Sequence, residues 1–163
     1  MANKIYRAIE TPVVFRDSSG DVVIALLNLA FAAGRVSAQK DRGAGSLAAD
    51  HEVIGVFQFE TAPALGEAIE IYLFQSDGTY VDGTVGTADA ALTSDKRKNG
   101  MFIGAVIVDT VSTGTDIVGR FQNVPISSRY YSIGVWNASA ADNLKNTANA
   151  CRVIVTPMPP EVQ

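Results

Sequence analysis

Short runs of β-branched and aromatic residues, each closed by Gly, Asn, Asp or Pro, recur along nearly the whole chain. Runs of this kind read as strands. They fall at residues 5–9, 13–16, 22–29, 53–59, 68–75, 101–109, 117–124, 130–136 and 152–156. Ile69, Ile71 and Leu73 alternate with Glu70, and Ile117 and Phe121 stand opposite Arg120 and Gln122. That two-residue period is the mark of a half-buried strand. Between the runs lie turn formers: Ser18-Ser19-Gly20-Asp21, Ser76-Asp77-Gly78, Val81-Asp82-Gly83, Lys98-Asn99-Gly100 and Ser112-Thr113-Gly114. Asp-Gly and Asn-Gly supply the positive φ of tight hairpins.

Helical signals are few. Residues 88–98 predict a short helix, with Thr87 as cap and Ala90, Ala91 and Leu92 as helix formers. Residues 138–149 read either as a second helix or as a solvated Asn- and Ala-rich loop. The apolar run 22–33 suits a buried helix or a buried strand, and its opening Val22-Val23-Ile24 favours the strand. Many strands joined by turns, without alternating helices, predict an all-β fold: an antiparallel β-sandwich of jelly-roll type with long loops and extended termini.

At 163 residues the chain suits one domain spanning 1–163. The single Cys151 has no partner in the chain for a disulfide. A formal net charge of −4 argues against a phosphate backbone as main partner, so no direct nucleic-acid contact is expected. The run 22–33 is interrupted by Asn28 and is shorter than the roughly 20 residues that span a bilayer, so no membrane partner is expected. Charges at Lys4, Arg7 and Glu10 leave no apolar secretion segment, which predicts synthesis in a cytoplasm. Asn137-Ala138-Ser139 matches a glycosylation pattern that has no use without export.

The ends differ from the middle. Pro157, Pro159 and Pro160 fall in the last eight residues, which predicts an extended, polyproline-like tail over any sheet position. Residues 1–12 and 156–163 therefore read as arms. A frayed end and an arm on a neighbouring subunit both fit, and the second reading nominates Tyr6, Arg7, Pro157, Pro159, Pro160 and Val162 as interface residues.

The inventory for chemistry is short. His51, the one histidine, stands in Ala49-Asp50-His51-Glu52 and reads as a solvated loop residue. One imidazole excludes a multi-histidine metal site. Cys151 shares a strand face with Val153 and Val155 and reads as a small buried hydrophobe. Asp17, Asp21, Asp77, Asp82, Asp95 and Asp116 are scattered in turns, and 77–83 lacks the spacing and closing Glu of a calcium loop. Phosphate-loop, dinucleotide and nucleophile-elbow motifs are missing. The expectation is a non-enzyme with no catalytic residue, metal or cofactor. Lys96-Arg97-Lys98 reads as a solvated loop tip, and Arg35, Lys40 and Arg42 form a second basic cluster; neither has interleaved aromatics. Tyr130 and Trp136 fall on one strand face, and Trp136 reads as core.

Several segments taken together resemble small structural proteins of tailed bacteriophages. They are residues 33–45, the run from Thr61 to Leu73 with Ser76-Asp77-Gly78, Val135-Trp136-Asn137, and Val153 to Pro157 with the closing Pro160-Glu161-Val162-Gln163. The resemblance implies a virion component with a jelly-roll-like sandwich, a head decoration or cement protein on the capsid surface. Its implied partners are the major capsid protein and further copies of itself, a trimer among the arrangements such contacts permit. It carries no catalytic residues. A tail, connector or head-fibre component is the alternative within virions. A carbohydrate-binding β-sandwich using Trp136, Tyr80 or Tyr130 is the alternative outside them.

Overall fold

The computed structural model describes residues 5–7, 9–44 and 48–162, with backbone alone at 5–7, 161 and 162. In chain order its strands are β1 (Ile5–Arg7), β2 (Val13–Arg16), β3 (Val22–Val23), β4 (Ala33–Val36), β5 (Lys40–Asp41), β6 (Asp50–Phe57), β7 (Ala68–Ser76), β8 (Ala90–Leu92), β9 (Met101–Ile107), β10 (Ile117–Pro125), β11 (Tyr130–Asn137), β12 (Arg152–Pro157) and β13 (Pro160–Val162). One helical turn, α1 (Ser94–Arg97), precedes β9.

Two sheets carry the fold. One runs β10-β6-β12-β2-β3; the other runs β8-β4-β11-β7-β9, with β5 also along β11. Among the described residues every pairing is antiparallel except β2 with β3. Side-chain alternation aims one face of each sheet at the other. Phe15, Val53, Phe57, Val153 and Val155 from the first sheet meet Ile69, Ile71, Leu73, Tyr131, Ile133 and Val135 from the second in one buried cluster. Truncating a side chain such as Phe57 to Ala there costs about 3–5 kcal/mol.

The second sheet is covered on its outer side as well. Val36, Tyr72, Phe74, Trp136 and Leu92 from its strands pack with Val85 from the segment that leads into β8. That is why β11 reads as almost wholly buried and does not alternate. Thr93 caps α1 by accepting a hydrogen bond from the Lys96 N–H at 3.2 Å.

Several expectations are corrected. Only Val22–Val23 of the 22–29 run is strand. The chain then turns, with the Leu29 N–H donating to the Leu26 carbonyl and Asn28 at φ 51°, while Ile24, Leu26 and Leu29 are still buried. The 88–98 helix is replaced by β8 and the single turn α1, because Ala90, Ala91 and Leu92 pair with Val36, Arg35 and Gly34. Cross-strand pairing outweighs the helix preference of alanine here. Residues 138–149 form a loop, one of the two readings the sequence left open. Of the predicted strand 5–9, Ile5–Arg7 is strand and Ala8 lies outside the described residues. The proline-rich end is in sheet: Arg152–Pro157 extends along β6, and Pro160, Glu161 and Val162 pair with Arg7, Tyr6 and Ile5. Both prolines occupy strand ends, where a missing N–H costs least.

Candidate functional site

The residues that sequence reasoning nominated at the two ends converge on one region. β1 and β13 form a two-stranded ribbon, with Tyr6 opposite Glu161, Arg7 opposite Pro160 and Ile5 opposite Val162. The side chains of Tyr6, Arg7 and Val162 lie outside the described residues. Pro160 is exposed and Pro159 half-buried. Pro157 ends β12 opposite His51, and both line a cavity of about 350 Å³.

The cavity lies where β2, β6 and β11 begin and β12 ends, at one end of the shared core. Alternation along β6 puts His51 in phase with buried Val53, Gly55 and Phe57, so its ring faces inward. His51 is 1% exposed, against the expectation of a solvated loop histidine. The signal was present in that phase, read one step further toward the N-terminus. Its Nδ1 has no hydrogen-bond partner. Burial, and then the charge of Arg42, push its pKa down to about 4, against weaker opposing effects of Ala49, Val124 and Asp50. His51 is therefore a neutral imidazole at pH 7.

Arg42 reaches the same cavity from just beyond β5. Its Nη1 donates to the Ile126 carbonyl at 2.7 Å and the Ser128 carbonyl at 3.0 Å, and its Nη2 donates to the Ala48 carbonyl. Desolvation lowers its pKa. Tyr131, 2% exposed, adds a phenol whose pKa burial raises above its ordinary value; its ring packs on Phe15 at 5.7 Å between centroids. Asp41 is engaged elsewhere: Arg129 donates to both of its oxygens at 2.8 Å, and the Gly43 N–H donates at 2.7 Å. The Arg129 hydrogen bonds lead in holding its carboxyl down at about 2.

The other nominated residues are dispersed. Arg35 pairs with Asp89, a partner sequence reasoning did not find. Arg97 is no solvated tip residue: it pairs with Glu70, and its guanidinium carbon lies 4.2 Å from the Trp136 ring centroid. Trp136 is thus core under an arginine, while Tyr80 is 80% exposed and Tyr130 carries the Arg129 guanidinium at 4.9 Å. Cys151 is buried, as its alternation with Val153 and Val155 predicts; its Sγ lies 3.5 Å from the Gln58 backbone N and O, and burial raises its thiol to about 11. Among the described residues no three His, Cys, Asp or Glu side chains are grouped to hold a metal ion, and no helix is long and apolar enough to cross a membrane.

No protein-family model matches this chain, and no curated protein sequence matches it.

Proposed function

We propose that the chain is a non-enzymatic structural protein of a tailed-bacteriophage virion, a decoration or cement protein that binds coat subunits and neighbouring copies of itself on the head. The observation that carries this reading is the strand order. Four strands of one sheet run β10-β6-β12-β2 and four of the other run β4-β11-β7-β9. From β2 through β4, β6, β7, β9, β10 and β11 to β12 the long strands change sheet at every step except from β7 to β9, which pair side by side. We read this as the double Greek key of a jelly roll, an architecture of viral capsid and lectin domains.

Surface chemistry supports the same reading. The edge strand β9 is Met-Phe-Ile-Gly-Ala-Val-Ile, without a charge. Phe102 and Ile107 on it are 55% and 52% exposed, and Val118 on the neighbouring β10 is 57% exposed. Exposed apolar edges without charges are what association surfaces offer and what isolated domains guard against.

The test is the copy number of this chain relative to the major coat protein in purified particles, by quantitative mass spectrometry. A simple ratio set by the shell's symmetry axes is the expected result. A few copies per particle would move the protein to the connector, tail or a head fibre. Absence from particles would overturn the virion reading and leave the lectin-like alternative, for which exposed Tyr80 is the available platform.

A further inference from the structure

A second feature stands apart from the virion reading and does not depend on it. Arg42, His51 and Tyr131 converge on the cavity of about 350 Å³ at the end of the core. A guanidinium has five N–H donors. Three of those of Arg42 go to the carbonyls of Ile126, Ser128 and Ala48. Among the described residues no acceptor takes the remaining two, and no carboxylate forms an ion pair with this arginine. The carbonyls fix the planar group without neutralising it, and the half-buried guanidinium keeps N–H groups open to a further acceptor. His51 adds an unmet demand, a fully buried ring with an unpartnered Nδ1.

The charges around the cavity bear on which ligand it suits. Lys40 and Arg42 line it together with Glu10 and Asp41, but Asp41 is taken up by Arg129. Among the described lining residues one positive charge is left in excess. A single anion balances it, whereas a dianion such as phosphate would face Glu10 with charge to spare. The fixed fork of an arginine matches the two oxygens of a carboxylate. At about 30 Å³ per water the volume holds on the order of ten small polar groups, the size of a simple organic acid.

We propose that this cavity is a binding site for a small organic monocarboxylate, its carboxylate held by Arg42 with Lys40, and its remaining polar atoms meeting His51 and Tyr131.

His51 is the only histidine in the chain, so its side-chain NMR signals report the site without assignment. The intact protein would be titrated with propionate and glucuronate, with propionamide and glucose as neutral counterparts, and with inorganic phosphate. The expected result is a saturable shift of the His51 signals with at least one carboxylate, with Kd on the order of 1 mM or tighter, and none with its neutral counterpart. Arg42→Gln should weaken that binding by about tenfold or more. Because Arg42 also ties three carbonyls, the acid-against-amide comparison on the unaltered protein decides the matter if the variant does not fold. No saturable shift, an equal response to the neutral compounds, or tighter binding of phosphate than of either carboxylate would each overturn the proposal.

Discussion

The ring of Phe121 in β10 occupies the space where a Cβ on Gly104 of β9 would stand. β9 edges one sheet and β10 the other, so this ring closes one side of the fold without a hydrogen-bonded ladder. The contact needs a residue with no side chain. Gly104→Val should therefore destabilise by about 1–3 kcal/mol through overpacking, a fall of roughly 2–4 °C in Tm per kcal/mol. Thermal melts of Gly104→Val, Phe121→Ala and the double variant test it: the two costs should not add, because removing the ring makes room for the valine.

Arg97 shields the only tryptophan. Replacing it with Ala removes the contact to the Trp136 ring and leaves Glu70 with the Tyr72 hydroxyl, which donates to it at 2.7 Å, as its remaining partner. We expect a red-shifted Trp136 emission, easier quenching by acrylamide, and a stability loss of about 1 kcal/mol. Unchanged emission and quenching would show that the ring does not depend on this cover.

His51 makes stability depend on pH between about 6.5 and 4. Its folded pKa is depressed to about 4, so over that window the unfolded chain binds a proton that the folded one refuses. Its contribution is full above the unfolded value and is lost as pH falls, with a slope of at most about 1.4 kcal/mol per pH unit. Urea unfolding at pH 7 and pH 5 should show a clear loss for the wild type and a smaller one for His51→Gln. Equal losses in the two proteins would contradict the assignment.

Cys151 should resist thiol reagents in the folded protein. Its thiol is buried and raised to about 11, so little thiolate exists at pH 8 and access requires opening of the structure. Labelling by a disulfide reagent should be slow in buffer and complete within the mixing time in denaturant. Fast labelling of the native protein would mean that the β12 end of the core opens readily.

Removing residues 159–163 should leave the sheets folded, whereas removing 157–163 should not be neutral. The first deletion takes away β13, which pairs only with β1 among the described residues. The second also removes Pro157, opposite His51, and Met158, whose N–H donates to the Asp50 carbonyl at 2.9 Å. Melting temperatures of the two truncations provide the measurement, with a larger drop expected for the longer one. On the virion reading the shorter truncation should also weaken attachment to particles.

Where structure followed from neighbours along the chain, the sequence was enough. Ile69, Ile71 and Leu73, or Cys151, Val153 and Val155, declare their buried face because alternation is a property of an extended backbone and needs no knowledge of the partner strand. The all-β character and most strand positions were legible for the same reason. Other features waited on which strands meet. Helix-forming Ala90 and Ala91 became strand because β4 offered them a ladder. Arg35 found Asp89 and Arg97 found Trp136 only once the 81–98 segment was laid along β4 and over the outer side of the second sheet. The cavity was invisible at this level, since Arg42 takes carbonyls from residues more than 80 positions away while His51 enters from another strand. Local periodicity is written in neighbouring residues; the surroundings of a side chain are set by long-range pairing, where tertiary contacts outweigh local preference.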